Sequence, residues 1–429
     1  MDTIFALSSG ALPAGIAVMR VSGEGAFAAV QRLAGSLPPA RQASLRALRD
    51  PDDGNLLDRA LLLCFPGPAS ATGEDLAELH LHGGRAVVRA VEAVLAAMPG
   101  LRMAEAGEFT RRALYNGKLD LSEAEGLGDL LAAETETQRR IALRSAEGAV
   151  RREVDGWTDR LLLIAAQIEA MLDHADEDDV AAEGESLAML RAAAAVLGRD
   201  VAAIAERPAA ERLRDGLRVV LAGPPNAGKS TLLNALAGRE AAITSPIAGT
   251  TRDRVEAPVM RNGIAYVLTD TAGLSHAPGD AIEQIGIERA EEAIRTADIL
   301  LWLGDDTPPE HPARLWLQPR ADLPSRCDPR GKDLSLSAVT GAGMALLWDR
   351  LDALARSLLP APDMVALNRR QRDLSASAAA AMNRAAVQPD PMLLAEELRA
   401  AQRAFDAITG RAGVEAMLDA LFSRFCIGK

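Results

Sequence analysis

A chain of 429 residues exceeds what one ordinary core organises and predicts two or three domains. Its 48% hydrophobic and 3% aromatic content, rich in alanine and leucine, suits a helix-rich globular protein, and no apolar run is long enough to span a membrane. The formal charge of −13 weighs against non-specific binding of nucleic acid; Cys64, Cys327 and Cys426 form no CxxC pair, which argues against a disulfide framework or a zinc site.

The opening MDTIFALSSG carries an acid where a secretory leader has bases, so a cytoplasmic protein is expected. To about residue 115, AGIAVMRVSG, RALLLCF and LAELHLHGG read as strands and GRAVVRAVEAVLAAM as a helix, which predicts an α+β domain. From about Leu121 to Glu211 the pattern is helical, with Trp157, Leu161, Ile164, Ile168 and Leu172 on one face. Arg139, Arg140, Arg144, Arg151 and Arg152 make either a basic patch or a solvated helix face. Pro208 and ERLRDG mark a boundary.

From Leu217 to about Leu354 strands and helices alternate. LRVVLAG feeds a helix starting near Lys229, VEAPVMRNGIAYVLTD is a hairpin turning at Asn262-Gly263, and ADILLWL and DLSLSAV are further strands. This is the pattern of a doubly wound α/β domain. After LLPAPD a helical stripe returns, with Leu394, Leu398, Ala401 and Phe405. The expected fold class is thus mixed α/β and α+β in several domains, the α/β part being inserted into a helical one.

GPPNAGKS, Gly223 to Ser230, satisfies G-x-x-x-x-G-K-[ST] between an apolar strand and a helix, the context in which backbone N–H groups cradle phosphates. Lys229 would neutralise the β and γ phosphates and Ser230 would give an oxygen to Mg²⁺. DTAG, Asp270 to Gly273, places a carboxylate and a glycine amide near the metal and γ-phosphate, and GTTRD, Gly249 to Asp253, offers two hydroxyls. In this order the motifs describe a GTPase with switch loops. The residue after DTAG is Leu274, where Ras-like enzymes carry a glutamine that orients water; an acid downstream is expected to serve instead.

Together with DTIFA, AVMRVSG, TGEDLAELHLHGG, GEFTRRALYNGKLDLSEAEGL, HADEDD and the terminal FCIGK, these motifs resemble, along the whole chain, the MnmE (TrmE) family of bacterial tRNA-modification GTPases. The resemblance implies an N-terminal folate-binding and dimerisation domain over 1–117, a helical domain in two parts over 118–213 and 357–429, and a G domain over 214–356. It implies a homodimer that works in the cytoplasm with an MnmG-type FAD protein. Together they would modify C5 of the wobble uridine of certain tRNAs, drawing a methylene from a 5,10-methylene- or 5-formyl-tetrahydrofolate.

The resemblance also assigns residues. Catalysis falls to Lys229, Asp270 and Glu283, the last acting on the attacking water; Mg²⁺ to Ser230 and Thr251; K⁺ to Asn226, Ser245, Ile247 and Thr250. The GTP site adds Ala227, Gly228, Thr231, Pro246, Ala248, Gly249, Thr271, Ala272, Gly273, Asp322, Ser337 and Ala338. Folate falls to Arg20, Glu78 and Lys118, with Lys429 nearby. Cys426 is either a reactive thiol or a structural residue, and His80 and His82, alternating on a strand, either support the fold or offer a metal site. The usual N-K-x-D guanine motif is reduced to Pro319, Arg320 and Asp322. Asp322 keeps two hydrogen bonds for guanine, Arg320 is expected to lay its stem over the ring, and GTP binding is expected to be weaker than usual. A ribosome-assembly GTPase shares the GTTRD-type loop and stays open as an alternative.

Overall fold

The computed structural model describes residues 2–173, 180–208, 210–239, 256–271, 280–323, 326, 331–361, 364–411, 421–422, 425 and 427–428. Its chain divides into two compact units, one of residues 1–128, 146–159 and 402–429, the other of residues 129–145 and 160–401.

In chain order the first unit contains β1 (Thr3–Leu7), β2 (Ile16–Ser22), α1 (Ala26–Ala34), β3 (Ser44–Arg49), β4 (Leu56–Phe65), β5 (Leu76–His82), α2 (Arg85–Ala97), β6 (Leu101–Met103) and α3 (Glu108–Tyr115). α4 (Leu121–Ala132), α5 (Glu136–Ala146) and α6 (Ala149–Asp173) each run across a unit boundary. The six strands order as β3-β4-β5-β2-β1-β6, antiparallel except for β1 with β6. Alternation within β2 and β5 sends Met19, Val21, Leu79 and Leu81 into a core under α1 and α2, where Val30, Leu33, Val91 and Leu95 complete it. Cys64 lies in that core, and burial pushes its thiol pKa up.

The other face carries a buried charge cluster. Glu108 accepts from Arg102 at 2.6 Å and Arg112 at 3.1 Å, and Arg112 also reaches Glu74 at 3.0 Å. Burial raises the Glu108 pKa, but these bonds and the Glu105 N–H outweigh it and hold the carboxyl at about 2. A buried carboxylate is tolerated only when so many donors meet it.

The second unit contains α7 (Val180–Ala205), α8 (Glu211–Arg214), β7 (Leu217–Ala222), α9 (Lys229–Arg239), β8 (Glu256–Arg261), β9 (Ile264–Asp270), α10 (Asp280–Thr296), β10 (Ile299–Trp302), β11 (Arg314–Gln318), β12 (Leu334–Ser335), α11 (Met344–Leu358) and α12 (Arg369–Val387). α13 (Pro391–Thr409) begins here and ends in the first unit. Of the expected helical stripes, Trp157, Leu161, Ile164 and Ile168 on α6 and Leu394, Leu398, Ala401 and Phe405 on α13 are buried, whereas Leu172 is only half-buried. α12 starts with a capping box, Asn368 and Gln371 each bonding the other's backbone N–H at 2.9 and 3.1 Å. α7 and α12 are tied at both ends, by Arg372 to the Ala205 carbonyl at 3.0 Å and Arg191 to the Ala386 carbonyl at 2.9 Å.

The α/β sheet orders as β12-β11-β10-β7-β9-β8, parallel but for β8 at one edge. The hairpin turns at Asn262 (φ 48°) and Gly263 (φ 76°), the left-handed pair that suits a two-residue turn. One crossover departs from the doubly wound pattern. Parallel β10 and β11 are joined by residues 303–313 without a helix, although such links normally need a dozen residues or more and a helix. Two indole N–H groups hold this loop, Trp302 Nε1 to the Asp306 carbonyl and Trp316 Nε1 to the Gly304 carbonyl, both at 2.9 Å. His311 sits between two backbone segments, its Nε2 3.1 Å from the Ala297 carbonyl and its Nδ1 accepting from the Ala313 N–H at 3.2 Å.

α11 is joined to the hairpin by Asp352, 5% exposed. Its carboxylate accepts from Tyr266 Oη and Asn262 Nδ2, each at 2.7 Å. Trp348 packs edge-on to Tyr266 and under the Arg261 guanidinium, 5.1 Å from its ring centre.

Candidate functional site

β7 lies between β10 and β9, all parallel, so the loop leaving its C-terminal end opens at the switch point where such sheets bind ligands. The loop runs from Gly223 to Gly228, and Lys229 opens α9. Gly223 has φ 145°, and a Cβ there would stand 3.1 Å from the Gly304 backbone, so glycine lets two loops pass closely. Lys229 is 5% exposed and its Nζ donates to the Gly223 and Pro224 carbonyls at 2.8 and 2.9 Å. Burial pulls its pKa down and the charge of Asp270 pulls it back up.

Register brings Asp270 to the same place, opposite Leu221 on β7. Ser230 Oγ donates to Asp270 Oδ2 at 2.5 Å. A hydroxyl and a carboxylate side by side beneath the phosphate loop are hard oxygen donors, the set that suits Mg²⁺. Thr271 Oγ1 donates to the Leu221 carbonyl at 3.0 Å, anchoring the DTAG segment to the central strand; the motif names this threonine, but only the fold gives it that task. Ala227 packs on the edge of the sheet core, and Thr231 is exposed on α9.

The base side is built from the ends of β11 and β12. The Leu336 N–H donates to the Gln318 carbonyl and the Ala321 N–H to the Leu336 carbonyl, at 2.9 and 3.0 Å. Ser337, 1% exposed, donates to the Asp322 carboxylate. That bond, the residue's own N–H and the charge of Arg320 hold Asp322 below the usual carboxylate range. Ala338 backs onto the core. Asp322 and Ser337 thus come together at the ends of these strands. The Arg320 guanidinium turns to the Asn226 carbonyl of the phosphate loop.

Ser245, Pro246, Ile247, Ala248, Gly249, Thr250, Thr251, Ala272, Gly273, Cys426 and Lys429 lie outside the described residues, as does the side chain of Glu283 on α10.

In the first unit, Arg20 and Glu78 face each other across β2 and β5, with Arg20 Nε donating to Glu78 Oε1 at 2.9 Å. His80 meets the other oxygen of Glu78 at 3.3 Å, and His82 bonds Asp58 at 2.7 Å; both histidines support neighbouring carboxylates. Lys118 stands against Gly73 on the turn before β5. The far end of the chain also arrives here. Ser8 Oγ donates to the Gly428 carbonyl at 2.7 Å, and Ile427 bridges Ala106. Gly428 has φ 98°, and a Cβ there would stand 2.1 Å from the Leu7 carbonyl, so only glycine can make this approach. Leu7 is one residue past Ala6, the cross-strand partner of Arg20. A half-buried arginine–carboxylate pair suits a ligand with both an anionic tail and a donor edge.

The arginines of the candidate basic patch are largely engaged. Arg139 is paired with Glu136 at 2.7 Å, while Arg151 lies 3.5 Å from Glu123 and 3.7 Å from Asp155. Arg152 donates to the Glu147 carbonyl. These pairs favour the reading of a solvated helix face.

A phosphate loop on the central strand, a carboxylate ending the next strand and an aspartate held by a serine at the base side define a P-loop GTPase. Residues 3–118 match the model of the N-terminus of the GTP-binding protein TrmE, and residues 121–426 that of the MnmE helical domain. The tRNA modification GTPase MnmE of Rhizorhabdus wittichii is 58% identical over 435 residues, covering all of this chain and 97% of that protein. Those of Novosphingobium aromaticivorans and Zymomonas mobilis are 54% and 53% identical over 435 residues, each covering both chains fully. The chain belongs to the MnmE family of tRNA modification GTPases, and it hydrolyses GTP. No helix among the described residues is long and apolar enough to cross a membrane.

Proposed function

We propose that this GTPase is potassium-activated and acts in the cytoplasm as a homodimer with an MnmG-type FAD protein, installing an aminomethyl or carboxymethylaminomethyl group at C5 of the tRNA wobble uridine. Residues 1–117 would bind the folate that gives the methylene, 214–356 the nucleotide, and 118–213 with 357–429 would form the helical domain. The observation that carries the folate half is the return of the chain's end: the Ser8–Gly428 bond sets Gly428 at the end of β1, the strand paired with the one that bears Arg20. Arg20 supplies a cation for the tail, Glu78 an acceptor for the pterin edge, and Lys118 and Lys429 further positive charge. Titration with 5-formyl-tetrahydrofolate tests this. Arg20→Ala is expected to weaken binding by about tenfold or more with GTP turnover intact; a parent chain that ignores the folate would end this reading.

In the G domain, Lys229 neutralises phosphate oxygens, Ser230 and Thr251 would hold Mg²⁺, and Glu283 orients the attacking water in place of the glutamine that Leu274 replaces. Asn226, with Ser245, Ile247 and Thr250, would hold K⁺, whose charge beside the phosphates does what an arginine finger does elsewhere. Turnover in KCl is expected to exceed that in NaCl by about tenfold or more, and Asn226→Ala to erase the difference. Equal rates in the two salts would refute the potassium site.

A further inference from the structure

α1 and α2 cover one face of the first unit's sheet. Among the described residues the other face is covered at one end only, where α3 seats Phe109 against Ile4, Ala6 and Leu76. The Arg20–Glu78 pair is the next step along β2 and β5, and past it the face is open. Alternation puts Val18 and Ile16 on the same side as Arg20, and His80 and His82 on the same side as Glu78. Leu61 on β4 stands opposite His80, and Leu45 on β3 opposite Leu61. Ile16 is 60% and Leu45 65% exposed. An apolar floor therefore runs from the Arg20–Glu78 pair toward Ile16 and His82.

That floor finishes in basic groups. His82 Nδ1 lies 2.7 Å from one oxygen of Asp58, and the other oxygen accepts the His82 N–H at 2.8 Å. Asp58 is 8% exposed and the imidazole 72%, so a buried carboxylate fixes the ring by Nδ1 and leaves Nε2 on the open side. Arg59 follows Asp58, is exposed, and has no ion-pair partner among the described residues. Arg85, exposed where α2 begins, is tethered to the Leu12 carbonyl at 3.1 Å. The turn between β3 and β4, at this same end of the sheet, then reverses the sign with Asp50, Asp52 and Asp53.

Cation, apolar floor, cations and then acids is an order that one ligand chemistry repeats. A folate tail lengthened by γ-linked glutamates adds, with each residue, an α-carboxylate and two methylenes. From Glu78 to His82 is four residues, about 13 Å along the strand. A γ-linked glutamate extends by about 6 Å, so with the first carboxylate at Arg20 the third arrives at Arg59 and His82. A nucleic-acid backbone, charged at every nucleotide, would find no cation over the apolar stretch. We infer that the strip from Arg20 to Arg59, His82 and Arg85 is a subsite for a poly-γ-glutamyl tail, and that the acidic turn limits it to about three glutamates. This rests on the folate reading given above.

Calorimetric titration of the full chain with 5-formyl-tetrahydrofolate carrying one, three or six glutamates tests the subsite. In the parent the triglutamate is expected to bind about five- to tenfold more tightly than the monoglutamate, as two or three exposed charge pairs should provide. The hexaglutamate should stay within about twofold of the triglutamate. Arg59→Ala should lose most of the gain, and so should His82→Asn, which keeps a donor for Asp58 but lacks Nε2. Both should hold monoglutamate affinity within about twofold of the parent, and the gain itself should shrink at high salt. Equal affinities for mono- and triglutamate in the parent would overturn the subsite and leave the folate site standing, whereas a parent that bound none of the three would overturn both. A gain that survived in both variants, or a monoglutamate weakened as much as the triglutamate, would take Arg59 and His82 off the tail. A further gain with six glutamates would refute the limit set by the turn. An RNA oligonucleotide that displaced the triglutamate from the parent, and bound Arg59→Ala more weakly, would assign the strip to nucleic acid and overturn the tail reading.

Discussion

Lys229→Met is expected to lower GTP turnover about a thousandfold or more without lowering the melting temperature. The two halves of this result have one cause. Lys229 is the only cation inside the phosphate loop among the described residues, and it is almost fully buried. A buried ammonium acts on phosphate oxygens with little solvent screening, which is why its loss is severe. Burial also depresses its pKa below the ordinary lysine value, with Asp270 restoring part of it. A depressed lysine costs the folded state stability at every pH below its folded value, and the cost lifts as pH rises through that value. Methionine keeps the length of the stem without the charge, so removal of that cost offsets the two lost bonds to carbonyls. Turnover within about tenfold of the parent, or a clear fall in melting temperature at neutral pH, would contradict the account.

Asp352→Ala is expected to destabilise the α/β part by about 2–4 kcal/mol. One buried carboxylate serves the Tyr266 hydroxyl and the Asn262 amide, with the Arg261 guanidinium 3.6 Å away. Truncation leaves a buried hydroxyl and the Asn262 amide without their acceptor, and that desolvation cost exceeds the worth of either bond. The burial that excludes water, followed by the bond to Asp352, also drives the Tyr266 pKa upward, so the phenol stays a donor throughout the working range. Tyr266→Phe removes donor and demand at one end only and should cost about 1 kcal/mol. Calorimetry reads both: Asp352→Ala should lower the melting transition by roughly 5 °C or more, and Tyr266→Phe by clearly less. Equal shifts in the two variants would mean that Asp352 matters to Tyr266 alone.

The nucleotide site was legible in the sequence because its parts are local. Gly223 to Ser230 fold as one strand–loop–helix unit, and the strand that ends in Asp270 carries its own alternation. The Asn262-Gly263 turn could likewise be read from two residues. Bonds between distant segments left no such trace. Periodicity marks Tyr266 and Trp348 as core but cannot place Asp352 between Tyr266 and Asn262. Nor can it bring Gly428 to Ser8, 420 residues away in the chain. Nothing in the residue order announces the left-handed backbone of Arg320 or its bond to the Asn226 carbonyl. Arg139 and Arg151 suggested a basic surface because a sequence lists charges before it pairs them.

The indole clamps on the helix-free crossover have a practical consequence. Trp302 and Trp316 both bond that loop, and Trp316 lies three residues before Pro319, at the mouth of the base loop. With Trp348, these are three of the four tryptophans in the chain. Replacing Trp157 would leave an emission signal that arises solely within the α/β part, so arrival and departure of unlabelled nucleotide could be followed by the protein's own light.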